Sequence, residues 1–177
     1  MKRSHQTFLA FRSILFVFLI PGTVAGYVPF LILQSSADDI HLQVSIGSTL
    51  AAGLIVIGAF VLLRCVWDFF AAGRGTLAPF DPPRKLVVRG LYRFTRNPMY
   101  NGVLCVLVGE AWLFRSQSLW KYAALIFVMF HVMVTAYEEP TLESEFGESF
   151  RIYKRAVPRW GFARRPFTPS PSFVERT

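Results

Sequence analysis

The residues best suited to chemistry lie in two polar stretches, at 86–100 and at 138–139. The first reads LVVRGLYRFTRNPMY and combines guanidinium, amide and phenol groups without a single acid. The second is the carboxylate pair Glu138 and Glu139. Arginine binds carboxylates through paired hydrogen bonds, and a glutamate can accept hydrogen bonds from an ammonium group or from hydroxyls. If the fold brings the two stretches together, they would form a pocket for a zwitterionic ligand.

Each polar group also has a purely structural interpretation. The arginines and the acid pair can form a salt-bridge cluster that only anchors two helices. Asn97 and Pro98 fit the N-cap and the first position of a helix. Glu110 is explained by solvation near the outer end of a helix, and His131 by a buried hydrogen bond between helices. The sequence leaves both kinds of interpretation open.

Composition indicates that these stretches belong to a membrane protein. Of the 177 residues, 53% are hydrophobic, 16% aromatic and 17% charged. A soluble domain of this length has too little interior for so much apolar side chain. The net charge of +8 therefore suggests an anionic membrane surface as partner rather than nucleic acid. Cys65 and Cys105 lie in apolar runs without ligand spacing, so no metal site is expected.

Four apolar segments predict membrane-spanning helices, at about residues 13–33, 44–63, 98–114 and 119–137. A helix needs roughly 20 residues to cross about 30 Å of hydrocarbon, and the third segment reaches this only with its flanks. A cleaved signal peptide is the alternative for the first segment, but apolar sequence continues well beyond Ala25. The last two segments predict a hairpin whose open end holds both polar stretches.

Basic residues are distributed unevenly among the loops. In chain order the N-terminal segment has three, the first loop none, the 64–96 loop seven, the hairpin tip two and the C-terminal segment seven. The positive-inside rule therefore predicts that both termini and the 64–96 loop are cytoplasmic. The pocket would then face the cytoplasm, where a soluble cofactor is available.

The predicted fold is all-α: a polytopic membrane bundle of about four transmembrane helices with a C-terminal helical hairpin. Apolar residues then recur at helical spacing and predict an amphipathic cytoplasmic helix: Leu142, Phe146, Phe150, Tyr153 and Val157. We expect one integral membrane domain over residues 1–163, with cytoplasmic pocket segments at 77–100 and 138–160. Residues 164–177 are rich in Pro and Ser, and we expect a disordered tail there.

Two runs of sequence resemble a known family. GLYRFTRNPMY, an apolar hairpin and then YEEPTLESEFGESFRIYKRAVPRW look like the isoprenylcysteine carboxyl methyltransferase family, which shares its pattern with membrane phospholipid methyltransferases. The resemblance covers about residues 77–160. It implies an integral membrane enzyme that uses S-adenosyl-L-methionine without a soluble Rossmann-type fold. The acceptor would enter sideways from the bilayer.

The resemblance and the chemical argument together give nine candidate cofactor-binding residues: Leu86, Val87, Tyr92, Arg96, Asn97, Pro98, Met99, Tyr100 and Glu138. Glu139 is the candidate catalytic residue, either as a base toward a protonated amine or as the partner that orients Arg96. Asn97 stands where better-known members of the family have histidine. Val134 and Thr135 stand where the eukaryotic enzymes have a basic residue.

We therefore expect a methyltransferase that acts at the membrane on a lipophilic small molecule or a lipidated substrate. Its acceptor group would be a prenylcysteine-like carboxylate, a phospholipid amine or a thiol. Two other functions fit the same residues. One is a non-enzymatic membrane protein whose basic loop binds lipid or a partner, and the other is a membrane lipid or sterol reductase. The oligomeric state is not predicted.

Overall fold

A computed structural model describes residues 20–36, 45–72, 86 and 88–169. Within these ranges the regular secondary structure is helical, and no strand occurs among the residues described. The helices are α1 (Ile20–Ser35), α2 (Ile46–Ala72), α3 (Pro98–Leu113), α4 (Gln117–Met133) and α5 (Glu139–Ala156). The predicted all-α fold is confirmed.

Two stretches of helix in the described part of the chain are long and apolar enough to cross a membrane. One is Ile46–Asp68, which has 23 residues and spans about 35 Å at 1.5 Å per residue. The other is Gln117–Ala156, because the π-helical segment Val134–Glu138 joins α4 to α5. α1 is apolar but shorter. The helices agree with a membrane bundle, and the number of four spans stays a prediction.

The chain divides into two compact units. The first, here called the polar unit, contains the described parts of Arg64–Pro98 and Val132–Thr177. The second, the apolar unit, contains the described parts of Val17–Leu63 and Met99–His131. The single domain expected over residues 1–163 stays a prediction.

In the apolar unit, α3 and α4 form the predicted hairpin. Their facing sides bury Val103 and Leu107 from α3 against Ala123 and Ile126 from α4. Residues 114–116 make the turn between them, and Arg115 adopts a φ of +51° there. The short turn makes the two helices antiparallel neighbours.

Small residues bring α2 and α3 into close contact within the same unit. A Cβ added to Gly58 would lie 2.7 Å from the carbonyl oxygen of Gly102, and one added to Gly109 would lie 2.9 Å from that of Ala51. Both distances are too short for a carbon atom, so the two backbones meet where side chains are missing. Such packing is typical of helices that associate in lipid.

In the polar unit, α5 is broken at Gly147. This residue has φ +51° and ψ −123°, a conformation that residues other than glycine rarely adopt. Because of the break, Glu143 reaches Arg151 at 2.9 Å and Lys154 at 3.5 Å, eight and eleven residues later. In a straight helix, eleven residues span about 16 Å. The predicted amphipathic helix is therefore two arms folded against each other.

The apolar stripe predicted along α5 survives this break. Phe150, Tyr153 and Val157 from the second arm are buried, and Leu142 and Phe146 from the first arm pack against them. Folding the two arms together lets one stripe form its own small core. Other segments of the polar unit pack against this core.

Residues 164–169 differ from the disordered tail predicted for 164–177. The backbone N–H of Phe167 donates to the carbonyl oxygen of Arg93 at 2.8 Å, and its ring lies 5.9 Å from the ring of Tyr153. Ring burial and a backbone hydrogen bond together hold this part of the chain. Residues 170–177 lie outside the described residues.

Candidate functional site

A tight turn opens the first polar stretch. Gly90–Arg93 form a 3₁₀ turn, with hydrogen bonds of 3.0 Å from Tyr92 N–H to Arg89 C=O and from Phe94 N–H to Leu91 C=O. Gly90 starts the turn with a φ of +55°, in the region that favours glycine. The turn sends the chain from the extended residue Arg89 toward the start of α3.

Asp68, near the end of α2, lies directly against this turn. Its carboxylate is buried beside Gly90, where an added Cβ would come within 2.8 Å of the carboxylate carbon. Arg64, four residues earlier, pairs with the same carboxylate. The end of α2 and the 3₁₀ turn therefore fit together only because position 90 has no side chain.

The segment after the turn leads directly into α3. Pro98 is buried at the first position of the helix, which suits a residue without an N–H. Asn97, the residue before it, donates its side-chain amide to the carbonyl oxygen of Arg159 at 3.2 Å. The amide of Asn97 thus links this segment to a part of the chain 62 residues away.

A buried ionic cluster joins the two polar stretches. Glu139 accepts hydrogen bonds from Arg96 Nη1 at 2.7 Å and from Arg159 Nε at 2.6 Å, both at Oε1. Arg159 Nη2 also reaches Oε2 at 2.9 Å, and Lys154 Nζ lies 3.3 Å from that oxygen. The side chains of Arg96 and Glu139 are only 10% and 7% exposed. Three cations therefore surround one buried carboxylate. We call Glu139 and its partners Arg96, Lys154 and Arg159 the Glu139 cluster.

The Glu139 cluster keeps its charges at neutral pH. Burial raises the pKa of the Glu139 carboxyl, but the hydrogen bond from Arg159 and the charge of Arg96 outweigh it and hold the pKa below its ordinary value. Burial lowers the pKa of the Arg96 guanidinium, and Glu139 opposes that change. An arginine remains protonated in either case. The cluster carries a net positive charge, which suits an anionic group on a ligand.

A C-terminal strap, residues 158–168, runs back along the first polar stretch. The backbone N–H of Arg96 donates to Pro158 C=O at 3.0 Å, and the N–H of Ala163 donates to Phe94 C=O at 2.7 Å. The guanidinium of Arg93 donates to Phe167 C=O at 2.8 Å. These bonds provide partners for main-chain groups of the first polar stretch, which has few backbone hydrogen bonds within itself. The strap therefore fixes the course of the chain just before α3.

Tyr153 connects the same segment to the core of α5. Its hydroxyl donates to the carbonyl oxygen of Tyr92 at 2.6 Å. Burial raises the pKa of this phenol, so it stays protonated and remains a donor at neutral pH. Leu86 and Val88 pack against the same core. The first polar stretch is thus held on one side by α5 and at its end by the Glu139 cluster.

An open groove of about 360 Å³ lies between the two arms of α5. Its walls include Thr135, Glu139, Glu143, Arg151 and Lys154. The charged groups in the walls pair with one another. Glu139 and Lys154 are the members of the Glu139 cluster that line this groove.

The model of the phospholipid methyltransferase family matches residues 46–149 of the chain, which is more than half of its length. The chain belongs to that family. No curated protein and no solved structure gives a significant match. The resemblance stated from the sequence motifs is confirmed. As a member of the phospholipid methyltransferase family with two long apolar helices, the chain is an integral membrane protein of methyltransferase type.

Most of the residues predicted for the site belong to the polar unit: Leu86, Tyr92, Arg96, Asn97, Pro98, Glu138 and Glu139. Arg96 and Glu139 are in direct contact. Glu138 is half-buried at the end of the π-helical segment. All of them lie inside the range that the phospholipid methyltransferase model matches.

Three predicted residues stand apart from that group. Met99 and Tyr100 follow in the first turn of α3 and belong to the apolar unit, where the ring of Tyr100 stacks on Phe130 with centroids 4.4 Å apart. Val87 lies outside the described residues. The roles of all ten predicted site residues, these three included, stay predictions.

Two residues that contact the candidate site lie outside the range matched by the family model, and the sequence did not predict them. Arg159 and Lys154 both contact Glu139 and lie beyond residue 149. Their only signal in the sequence was the basic run at the end of α5 followed by VPRW. Basic residues in such a run more commonly interact with the C-terminal end of a helix.

Proposed function

We propose that the protein is an S-adenosylmethionine-dependent methyltransferase that acts at the membrane on a lipophilic acceptor. The observation that carries the proposal is the Glu139 cluster, in which Arg96 and Arg159 meet a buried carboxylate while the carbonyl oxygen of Arg159 accepts the amide of Asn97. Membership of the phospholipid methyltransferase family supports the same activity. Two basic segments that flank the apolar helices support a pocket on the cytoplasmic side.

The residues of the polar unit fit such a cofactor. It carries a carboxylate, an ammonium group and ribose hydroxyls, which need donors and acceptors close together. Arg96 offers a donor, because its Nε is buried without a hydrogen-bond partner among the described residues. Asn97 offers an amide and Glu138 a carboxylate in the adjoining segments. The N–H at this Nε is a charged donor of the kind that a ligand carboxylate accepts.

The cofactor supplies a methyl group that is already activated by its bond to a sulfonium. The chain's own residues then have to bind it, orient it and keep water away. A carboxylate or thiolate acceptor needs no proton removed, whereas a protonated amine does. The family description supports a phospholipid as the acceptor.

The geometry favours one of the two roles considered for Glu139. Both of its oxygens are occupied by cations, and its pKa is lowered, so it is a poor acceptor for a proton at neutral pH. The same contacts hold Arg96 in place. We therefore assign Glu139 the orientation of Arg96 rather than proton transfer.

Calorimetry with purified protein in detergent tests the proposal. We expect S-adenosylmethionine to bind and S-adenosylhomocysteine to compete with it. Replacing Glu138 by Gln should weaken binding, and unchanged affinity would remove Glu138 from the site. Absence of binding at millimolar ligand would overturn the proposed function.

The acceptor can be found with the methyl-labelled cofactor. Membranes that contain the protein are incubated with it, and the label is then sought in lipid, in protein and in volatile products. Label in an amine-containing phospholipid is the expected result. Binding of the cofactor without transfer to any fraction would contradict an enzymatic role, and protection from proteolysis by NADPH would favour the reductase alternative.

A further inference from the structure

Arg159 contacts Glu139 more completely than any other described residue does. Its Nε and Nη2 bind the two carboxylate oxygens at 2.6 and 2.9 Å. Arg96 reaches only one of those oxygens, at 2.7 Å. A guanidinium that binds both oxygens fixes the plane of the carboxylate as well as its position. Since Arg96 binds the same Oε1, the plane set by Arg159 also determines where Arg96 can donate.

The main chain around Arg159 also binds the segment that contains Arg96 and Asn97. Its carbonyl oxygen accepts the side-chain amide of Asn97 at 3.2 Å. The preceding carbonyl, of Pro158, accepts the backbone N–H of Arg96 at 3.0 Å. A carbonyl can only accept, so the NH₂ of Asn97 must face Arg159 and its Oδ1 must point away. Asn97 is therefore presented with its acceptor directed away from the strap.

One residue thus fixes two of the groups on which the proposed site depends. Arg159 lies beyond the range matched by the family model, and its side chain is 27% exposed. The partial exposure means that it is not needed simply to fill the core. Its contacts are with the pocket segment and with the acid at the start of α5.

We propose that Arg159 is a positioning residue for cofactor binding, which it supports through Glu139, and thereby Arg96, and through Asn97. This inference rests on the proposed function, since it concerns the same site. A residue of this kind changes the affinity for the cofactor in molecules that are correctly folded. A residue that only stabilises the strap changes the folded fraction and leaves the affinity of the folded molecules as it was.

Calorimetry separates these two roles because it reports affinity and stoichiometry independently. For Arg159→Gln we expect the dissociation constant for S-adenosylmethionine to rise about tenfold or more, as loss of a charged hydrogen-bond pair predicts. Arg155→Gln is the matched control: it removes the same charge from an exposed position in the last turn of α5. That variant should bind like the wild type.

Arg159→Lys provides the conservative comparison. Lysine keeps the charge but cannot bind both carboxylate oxygens in one plane, so its dissociation constant should lie between those of the wild type and Arg159→Gln. If Arg159→Gln does not fold, the comparison of Arg159→Lys with the wild type decides the matter. Wild-type affinity in the folded lysine variant would then overturn the inference.

The outcomes distinguish this inference from the proposed function. If the wild type fails to bind S-adenosylmethionine, the proposed function falls, and the role of Arg159 falls with it. If the wild type binds and folded Arg159→Gln binds equally well with reduced stoichiometry, only the positioning role is overturned. If Arg155→Gln weakens binding as much as Arg159→Gln, general electrostatic attraction explains the effect and the inference is wrong.

Discussion

Replacing Gly90 by alanine should destabilise the protein for two separable reasons. Gly90 has a φ of +55°, and a residue with a side chain loses about 1–2 kcal/mol in that conformation. In addition, the new Cβ would lie 2.8 Å from the carboxylate carbon of Asp68. Carbon atoms in contact are normally about 3.5–4.0 Å apart, so Asp68 would have to move.

Asp68 has little freedom to do so. Its side chain is 8% exposed and is paired with Arg64. Relief of an overlap in a packed environment typically costs about 1–3 kcal/mol. We therefore expect Gly90→Ala to lower the free energy of unfolding by about 2–5 kcal/mol in total. In an Asp68→Ala background the atoms nearest to the new Cβ are absent, and the loss should be only about 1–2 kcal/mol.

Equilibrium unfolding in mixed detergent micelles, followed by tryptophan fluorescence, measures these free energies. Gly161→Ala is the comparison variant, because Gly161 also has a positive φ, +70°, and nothing lies within 4 Å of an added Cβ. It shows the effect of an added side chain at a positive φ without a close contact. If Gly90→Ala costs the same with and without Asp68, the close contact between the turn and α2 is refuted.

Two further predictions concern the ionic cluster and the helix contact. Because the pKa of Glu139 is lowered in the folded protein, its contribution to stability is complete above its ordinary pKa and is lost as the pH falls through the lowered value. The difference in unfolding free energy between wild type and Glu139→Gln should therefore shrink in acid, and parallel pH profiles would contradict this. Gly58→Ala should cost about 1–3 kcal/mol because the added carbon meets the backbone of α3. Gly53→Ala has nothing within 4 Å and should be nearly neutral, so equal effects in the same micelle assay would count against the predicted contact.

The sequence predicted the helices well because their signals are local. Apolar runs and Pro98 placed α3 within a residue of its observed bounds. The span predicted to end at residue 63 continues as helix to Ala72. The continuation is explained by Arg64 and Asp68, whose pairing at a spacing of four residues is compatible with a helix. A span predicted from apolar residues ends at the first charged residue, Arg64, whereas the helix continues beyond it.

The partners in the Glu139 cluster could not be predicted in the same way. Arg159 is 20 residues from Glu139 and its carbonyl is 62 residues from Asn97, and no local pattern relates such positions. The break at Gly147 also left no periodic signal, since its apolar stripe fits a straight helix and a folded one equally well. These features depend on contacts between distant parts of the chain. In the sequence alone, the basic residues of α5 cannot be distinguished from ordinary surface charge.

The backbone hydrogen bonds of the strap have a consequence for the order in which the protein is made. The hairpin of α3 and α4 is complete in the chain by residue 133, and its apolar residues can enter a membrane during translation. The carbonyl groups that hold Arg96 and Asn97 come only with residues 158 and 159. A nascent chain can therefore be inserted while the segment before α3 still lacks its hydrogen-bond partners. Membrane insertion and completion of the proposed pocket are therefore separate events, and the proposed binding of a cofactor would depend on the later one.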